Sequence, residues 1–137
     1  MSIVKDLLHS ETDGSLSFGN HELLSKEKVE DFKHNGRILK VKTYRDITKL
    51  EADGELVYES VPGTSVNNLA VTENGMRFNV EGPSDAQITL GLKPDTEYEV
   101  LVSGSDAGRM KTNLGGKLSV SVELEDCGVV NVEVREA

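Results

Sequence analysis

Four Asn-Gly or Asp-Gly pairs constrain this chain more than any other feature: Asp13-Gly14, Asn35-Gly36, Asp53-Gly54 and Asn74-Gly75. Such pairs accept positive φ at both central positions of a type I′ turn, whose twist matches that of two paired strands. Asn35-Gly36 separates residues 29–34 from 37–44, Asp53-Gly54 separates 47–51 from 55–59, and Asn74-Gly75 separates 69–72 from 76–80, all strand-like runs. Asp13-Gly14 precedes Ser15, Leu16, Ser17 and Phe18. One such dipeptide is weak evidence; four, each flanked this way, predict a series of antiparallel hairpins.

The C-terminal half adds clean alternation. Met76, Phe78 and Val80 share one face, as do Tyr98, Val100 and Val102, then Leu118, Val120, Val122 and Leu124, then Val130, Val132 and Val134. A period of two with one polar face describes antiparallel sheets that each bury a single face, and two such sheets must cover one another. Helix is scarce. Residues 2–9 allow a turn or two with Ile3 and Leu7 on one side, and Ser25-Lys26-Glu27-Lys28 allows a short helical turn capped by Ser25. The Pro62-Gly63 step, followed by Thr64, Ser65, Val66, Asn67 and Asn68, marks a loop. The expected organisation is therefore all-β: an N-terminal hairpin-rich lobe over 1–62 and a C-terminal antiparallel β-sandwich over 66–137, which can form one compact unit.

A length of 137 residues suffices for one core without disulfides or metals. The net charge is −9, with 24 acidic against 15 basic residues. That balance repels phosphate backbones and anionic lipid, so neither nucleic acid nor membrane is expected as a partner. Cys127 is the single cysteine, which precludes an internal disulfide. The first nine residues lack the apolar run of a secretory signal, and no stretch reaches the length of a membrane span, so the cytoplasm is the expected compartment.

Leu92, Pro94, Thr96 and Tyr98, at alternate positions leading into a strand, resemble the fibronectin type III signature. The resemblance implies a structural tyrosine corner, in which Leu92 packs beneath a turn fixed by Pro94 and the Tyr98 hydroxyl bonds back to nearby backbone. A fibronectin domain has one strand after its Tyr strand, whereas residues 109–135 hold enough for two or three. In this it is similar to the C-terminal sandwiches appended to bacterial carbohydrate-active enzymes. The whole chain resembles small uncharacterised proteins of Gram-positive gut anaerobes on residues 57–63 and 110–117, some of them labelled endosialidase; that label implies a sialidase-type glycan hydrolase.

The residues give such chemistry little support. A sialidase gathers several arginines on one carboxylate, and Arg37, Arg45, Arg77, Arg109 and Arg135 show no clustering. Arg77 and Arg135 fall on polar strand faces, where cross-strand ion pairs are expected. Glu97 and Glu99 share a strand face, but glycoside hydrolysis needs its acid set in a cleft, which an exposed strand face does not offer. His9, His21 and His34 show no metal-ligand spacing, and Asp13, Asp53 and Asp106 form no calcium loop. Acidic Glu125 and Asp126 disfavour a Cys127 thiolate. Residues 103–108 lack the Lys-Ser/Thr pair and helix of a phosphate loop. No catalytic, cofactor or metal residue is nominated, and no cofactor is expected.

A non-catalytic protein-interaction or structural module is the leading expectation. Exposed strand edges could support self-association or a protein partner, although Lys40, Lys42, Lys49, Glu55 and Glu59 are suited to guarding edges. A carbohydrate-binding accessory module is the alternative, with glycan as partner and Tyr44 and Tyr58, on facing candidate strands, as its ligand platform.

Overall fold

The computed structural model describes residues 5–137, with side chains from Asp6 onward. Strands hold 62% of the chain and helix 2%, so the fold is all-β, two antiparallel sheets packed as a sandwich. The seven-stranded sheet runs, in spatial order, β1 (Leu8–Ser10), β2 (Leu16–Phe18), β7 (Ser65–Thr72), β8 (Gly75–Glu81), β13 (Val130–Glu136), β10 (Glu97–Val102) and β11 (Ser105–Lys111). The six-stranded sheet runs β12 (Lys117–Val122), β9 (Ala86–Gly91), β6 (Glu55–Val61), β5 (Ile47–Ala52), β4 (Arg37–Tyr44) and β3 (Glu27–His34).

This strand order interleaves the two expected lobes. β2 pairs with β7 and β6 pairs with β9, so each sheet draws strands from both sides of residue 62. The reason lies in the apolar faces. Three N-terminal strands, β4, β5 and β6, bury Leu39, Val41, Leu50, Ala52 and Tyr58 in one core shared with the seven-stranded sheet. Residues 5–7 form a single 3-10 turn before β1, and the N-terminal part of the helical expectation for 2–9 lies outside the described residues. The Ser25 helical turn is not formed: Glu27 already opens β3, whose edge-to-edge pairing with β4 supplies main-chain bonds that one isolated helical turn could not match.

The turn pairs divide. Asn35-Gly36 (φ 49 and 78°) and Asp53-Gly54 (φ 51 and 82°) have the positive φ values of a type I′ turn, as does Ser103-Gly104 (φ 52 and 79°). Gly14 alone is positive in the 11–15 connection. At Asn74-Gly75 the turn is made by Glu73 and Asn74, and Gly75 begins β8. There the glycine serves packing: a Cβ on it would lie 1.9 Å from Val134 O of β13.

The C-terminal alternation folds as its pattern predicts, with Met76, Phe78, Val80, Tyr98, Val100, Leu118, Val120, Val122, Val130, Val132 and Val134 all buried. Tyr98 Oη accepts the Lys93 N–H at 3.2 Å, the bond of a tyrosine corner, while Thr96 Oγ1 donates to Pro94 O at 2.8 Å and Leu92 packs on the core. Thr112, buried, braces the same turn by accepting Thr96 N–H (2.9 Å) and donating to Lys93 O (2.6 Å).

At the core centre Tyr58 stands between Phe18 and Phe78, edge to face, with ring centroids at 5.2 and 5.4 Å. Its hydroxyl bonds Thr64 Oγ1 at 2.7 Å, and Thr64 Oγ1 also bonds Ser60 Oγ at 2.7 Å. Thr48 Oγ1 donates to Thr64 O (2.7 Å), accepts Thr64 N–H (3.1 Å) and bonds Thr43 Oγ1 (2.9 Å), which in turn accepts Asn20 N–H (2.9 Å). Thr43, Thr48, Ser60 and Thr64 have no exposure, so every one of these polar groups depends on its protein partner. Burial pushes the Tyr58 phenol pKa up, with the Thr64 and Ser60 bonds acting the other way.

Replacing Thr48 by Val keeps the shape and strands the Thr64 N–H and C=O in the interior. The expected loss is about 2–4 kcal/mol of unfolding free energy by urea denaturation. Tyr58→Phe, which leaves Thr64 Oγ1 bonded to Ser60, should lose only about 1 kcal/mol. Equal effects from the two changes would mean the Thr48 contacts do not organise this end of the sandwich.

Candidate functional site

The expected tyrosine platform does not form. Tyr58 is fully buried among Phe18 and Phe78, whereas Tyr44 is half-buried on the opposite face of the sheet, with β5 lying between their strands. Buried residues alternate as Leu39, Val41 and Thr43 along β4, which turns Tyr44 outward. Tyr58 falls on the inward parity of β6 together with Ser60. The two rings cannot share a ligand.

The arginines are also apart in their bonding. Arg37 pairs with Asp53 (3.0 Å), Arg45 with Asp46 (3.6 Å), Arg109 with Glu97 (3.5 Å) and Arg135 with Glu99 (3.6 Å). Arg77 faces Glu133 across the strands and acts on the Asp13 carboxylate. Among the described residues, no three His, Cys, Asp or Glu side chains converge as a metal site needs, and no helix is long and apolar enough to cross a membrane. Cys127 is exposed, its thiol directed to Glu125 O at 3.3 Å.

One contact escapes sequence reasoning because its partners lie 44 residues apart: His21 Nδ1 is 2.8 Å from Ser65 Oγ. Ser65 has no exposure, so no substrate carbonyl can reach its oxygen. The pair fastens the 19–26 connection to the start of β7.

A cleft of about 530 Å³ opens at the hairpin end of the sandwich. Leu16, Leu39, Leu50 and Leu69 form its floor, and Asp13, His34, Arg37 and Arg77 stand at its rim. The rim groups are already engaged. His34 Nδ1 bonds Ser10 Oγ (2.7 Å), Asn35 Nδ2 donates to Gly14 O (3.2 Å), and Arg37 donates to Asp53 and to Ala52 O (3.2 Å). Asp13 is held below the ordinary aspartate pKa first by the Ser15 hydroxyl and then by the Ser15 N–H, with Arg77 contributing least. Asp53 is held low by the Ile38 N–H and then by Arg37. These acids pin loops rather than await a proton.

The strand edges differ more sharply. β1 has three residues, too few to template a partner. β3 is broken by a bulge between Val29 and Phe32, where Asp31 takes φ 57°, and it carries Glu27, Lys28, Glu30 and Lys33. β11 is bulged opposite Val100 and Leu101, and Asp106 Oδ1 accepts the Gly108 N–H at 2.7 Å, so a side chain of the strand takes up one of its own main-chain donors. β12 is longer than β1 and unbulged, and its single charge, Lys117, lies at its first residue. Its six residues pair with β9 in unbroken register from Lys117↔Gly91 to Val122↔Ala86.

Lys117 N–H donates to Asn113 Oδ1 (2.9 Å) and Lys117 O accepts Asn113 N–H (3.1 Å), so this residue turns its main chain away from β9. Antiparallel ladders alternate, which gives Ser119 and Ser121 the same outward direction. Both are exposed and without a main-chain partner on that side among the described residues. Their side chains link back to β9, Ser119 with Thr89 (2.9 Å) and Ser121 with Gln87 (2.7 Å), leaving a neutral outer face beside the edge. The sequence hid this because an edge is a property of strand order.

No family model, curated protein or solved structure matches this chain.

The loop-pinning acids make a measurable prediction. Each carboxylate favours the folded state above the ordinary aspartate pKa of 3.8 and loses that contribution as pH falls below it. Carboxyl NMR titration should place both Asp13 and Asp53 below 3.8, with Arg37→Ala raising Asp53 alone and Ser15→Ala raising Asp13 alone. An Asp13 midpoint that follows Arg37 would show that the rim acts as one coupled cluster.

Proposed function

We propose that the chain is a non-catalytic interaction module that accepts an extended segment of a partner by strand addition. The carrying observation is β12, the edge with neither bulge nor outward charge along Ser119 and Ser121. Strand addition draws affinity from main-chain hydrogen bonds, and those donors and acceptors are what this edge presents. The exposed single thiol fits a reducing compartment, which supports a cytoplasmic location. The tyrosine corner at Tyr98 supports likening the C-terminal strands to fibronectin type III domains.

A heptapeptide of alternating Thr and Val tests the edge without supplying a matched sequence. The amides of Ser119 and Ser121 should shift saturably by NMR, with a dissociation constant on the order of 1 mM. Ser121→Pro should remove the response. That proline deletes an outward N–H and no main-chain bond to β9, losing besides only the exposed Ser121–Gln87 side-chain contact, so its circular dichroism and melting should stay near wild type. No saturable shift at β12, or equal binding by the proline variant, overturns the proposal.

A further inference from the structure

The geometry points to a second copy of this chain as the partner of β12, added antiparallel about Val120. This rests on the strand-addition reading and names its occupant. Along β12 the outward main-chain groups belong to Ser119 and Ser121, and Asn113 closes the ladder at Lys117. A strand laid beside it must therefore match a short stretch with two bonding residues. The register that centres Val120 on its own counterpart sets Ser119 opposite the partner's Ser121 and Ser121 opposite the partner's Ser119. Each such pair exchanges both main-chain bonds, and none of the outward groups within the stretch is left idle.

The same register settles the charges. Asn113 keeps the main-chain place beside Lys117, so the paired stretch ends there and the Lys117 side chain meets that of Glu123 of the second copy just past it, with the same arrangement at the other end. Both residues are exposed. The contact thus holds two opposite-charge cross-strand pairs, with neutral Ser119 and Ser121 between them. An edge meant for an unrelated strand has no reason to be complementary to itself.

The symmetry is two-fold and closed, because each copy spends its β12 edge on the other. The three other edges are short, bulged or charged, so the assembly stops at a dimer joined through one twelve-stranded sheet, six strands from each copy. A contact of one strand pair is small, so the dimer is reversible and concentration-dependent.

Sedimentation of the full chain over a range from micromolar to roughly millimolar should show a monomer–dimer equilibrium, weak because the interface is small. Ser121→Pro should leave a monomer. Lys117→Glu should weaken the dimer about tenfold, since each substitution acts twice across the two-fold axis. Adding Glu123→Lys should restore it to within about threefold of wild type. A chain that stays monomeric throughout, or a dimer indifferent to Ser121→Pro and to the charge exchange, overturns the self-pairing. If the chain is monomeric while the Thr-Val peptide still binds at β12, the second copy is wrong and strand addition stands. If neither forms, both readings fall.

Discussion

The Tyr58 side chain leaves the six-stranded sheet, sets its ring edgewise between Phe18 and Phe78 of the facing sheet, and ends on Thr64. Each aromatic pair adds about 0.5–1.5 kcal/mol beyond its buried area, and the phenol requires a buried partner at its far end. That requirement fixes where the connection from β6 to β7 can pass. Thr64 must lie beneath β4 and β5, where Thr48 takes both of its main-chain groups. Gly63, one residue earlier, runs so close to β4 that a Cβ would sit 1.9 Å from Tyr44 O. The crossover path into β7 is thus tied to the Tyr58 ring, Thr64 and Thr48 together.

The same cluster explains why the two halves were unequally legible. In the C-terminal strands the inward positions are aliphatic or aromatic, so alternation reads directly as burial at Phe78, Val100, Val120 and Val132. In the N-terminal strands three inward positions are Thr43, Thr48 and Ser60, fully buried hydroxyls that look like surface residues in a linear pattern. The alternation was present but written partly in polar letters. Only the spatial meeting of residues 43, 48, 60 and 64 shows that each is satisfied, and no spacing rule brings those four together.

Turn chemistry was legible where the turn alone decides and misleading where packing competes. Asn35-Gly36 and Asp53-Gly54 take the conformation their residues favour. Gly75 is instead required by β13 passing against it, and the turn moves one residue upstream. Tyr44 and Tyr58 failed as a pair for a related reason. Their placement on one surface assumed adjacent strands of equal parity, whereas β5 separates them and they point to opposite faces. The corner at Leu92, Pro94, Thr96 and Tyr98 was readable because its bonds span few residues. The free edge was not, since edges emerge only when strand order is known.

Self-pairing must contend with the charge of the whole molecule, since two copies at −9 repel one another. At physiological ionic strength that repulsion is screened beyond about 8 Å, so the charges local to the contact decide the balance. Around β12 they are sparse: the twelve residues of β9 and β12 hold Lys117 as their single charge, in a chain that is 28% charged. Acidic residues gather just past the far end of β12, where Glu123, Glu125 and Asp126 are exposed and Asp85 accepts the Leu124 and Glu125 N–H groups, while Lys117 stands at the other end. Added salt then acts on two terms of opposite sign. It relieves the long-range repulsion and weakens the two local pairs, and the main-chain hydrogen bonds at Ser119 and Ser121 are left nearly indifferent to it. A strand edge of this composition holds its partner chiefly through backbone, with charge setting the register.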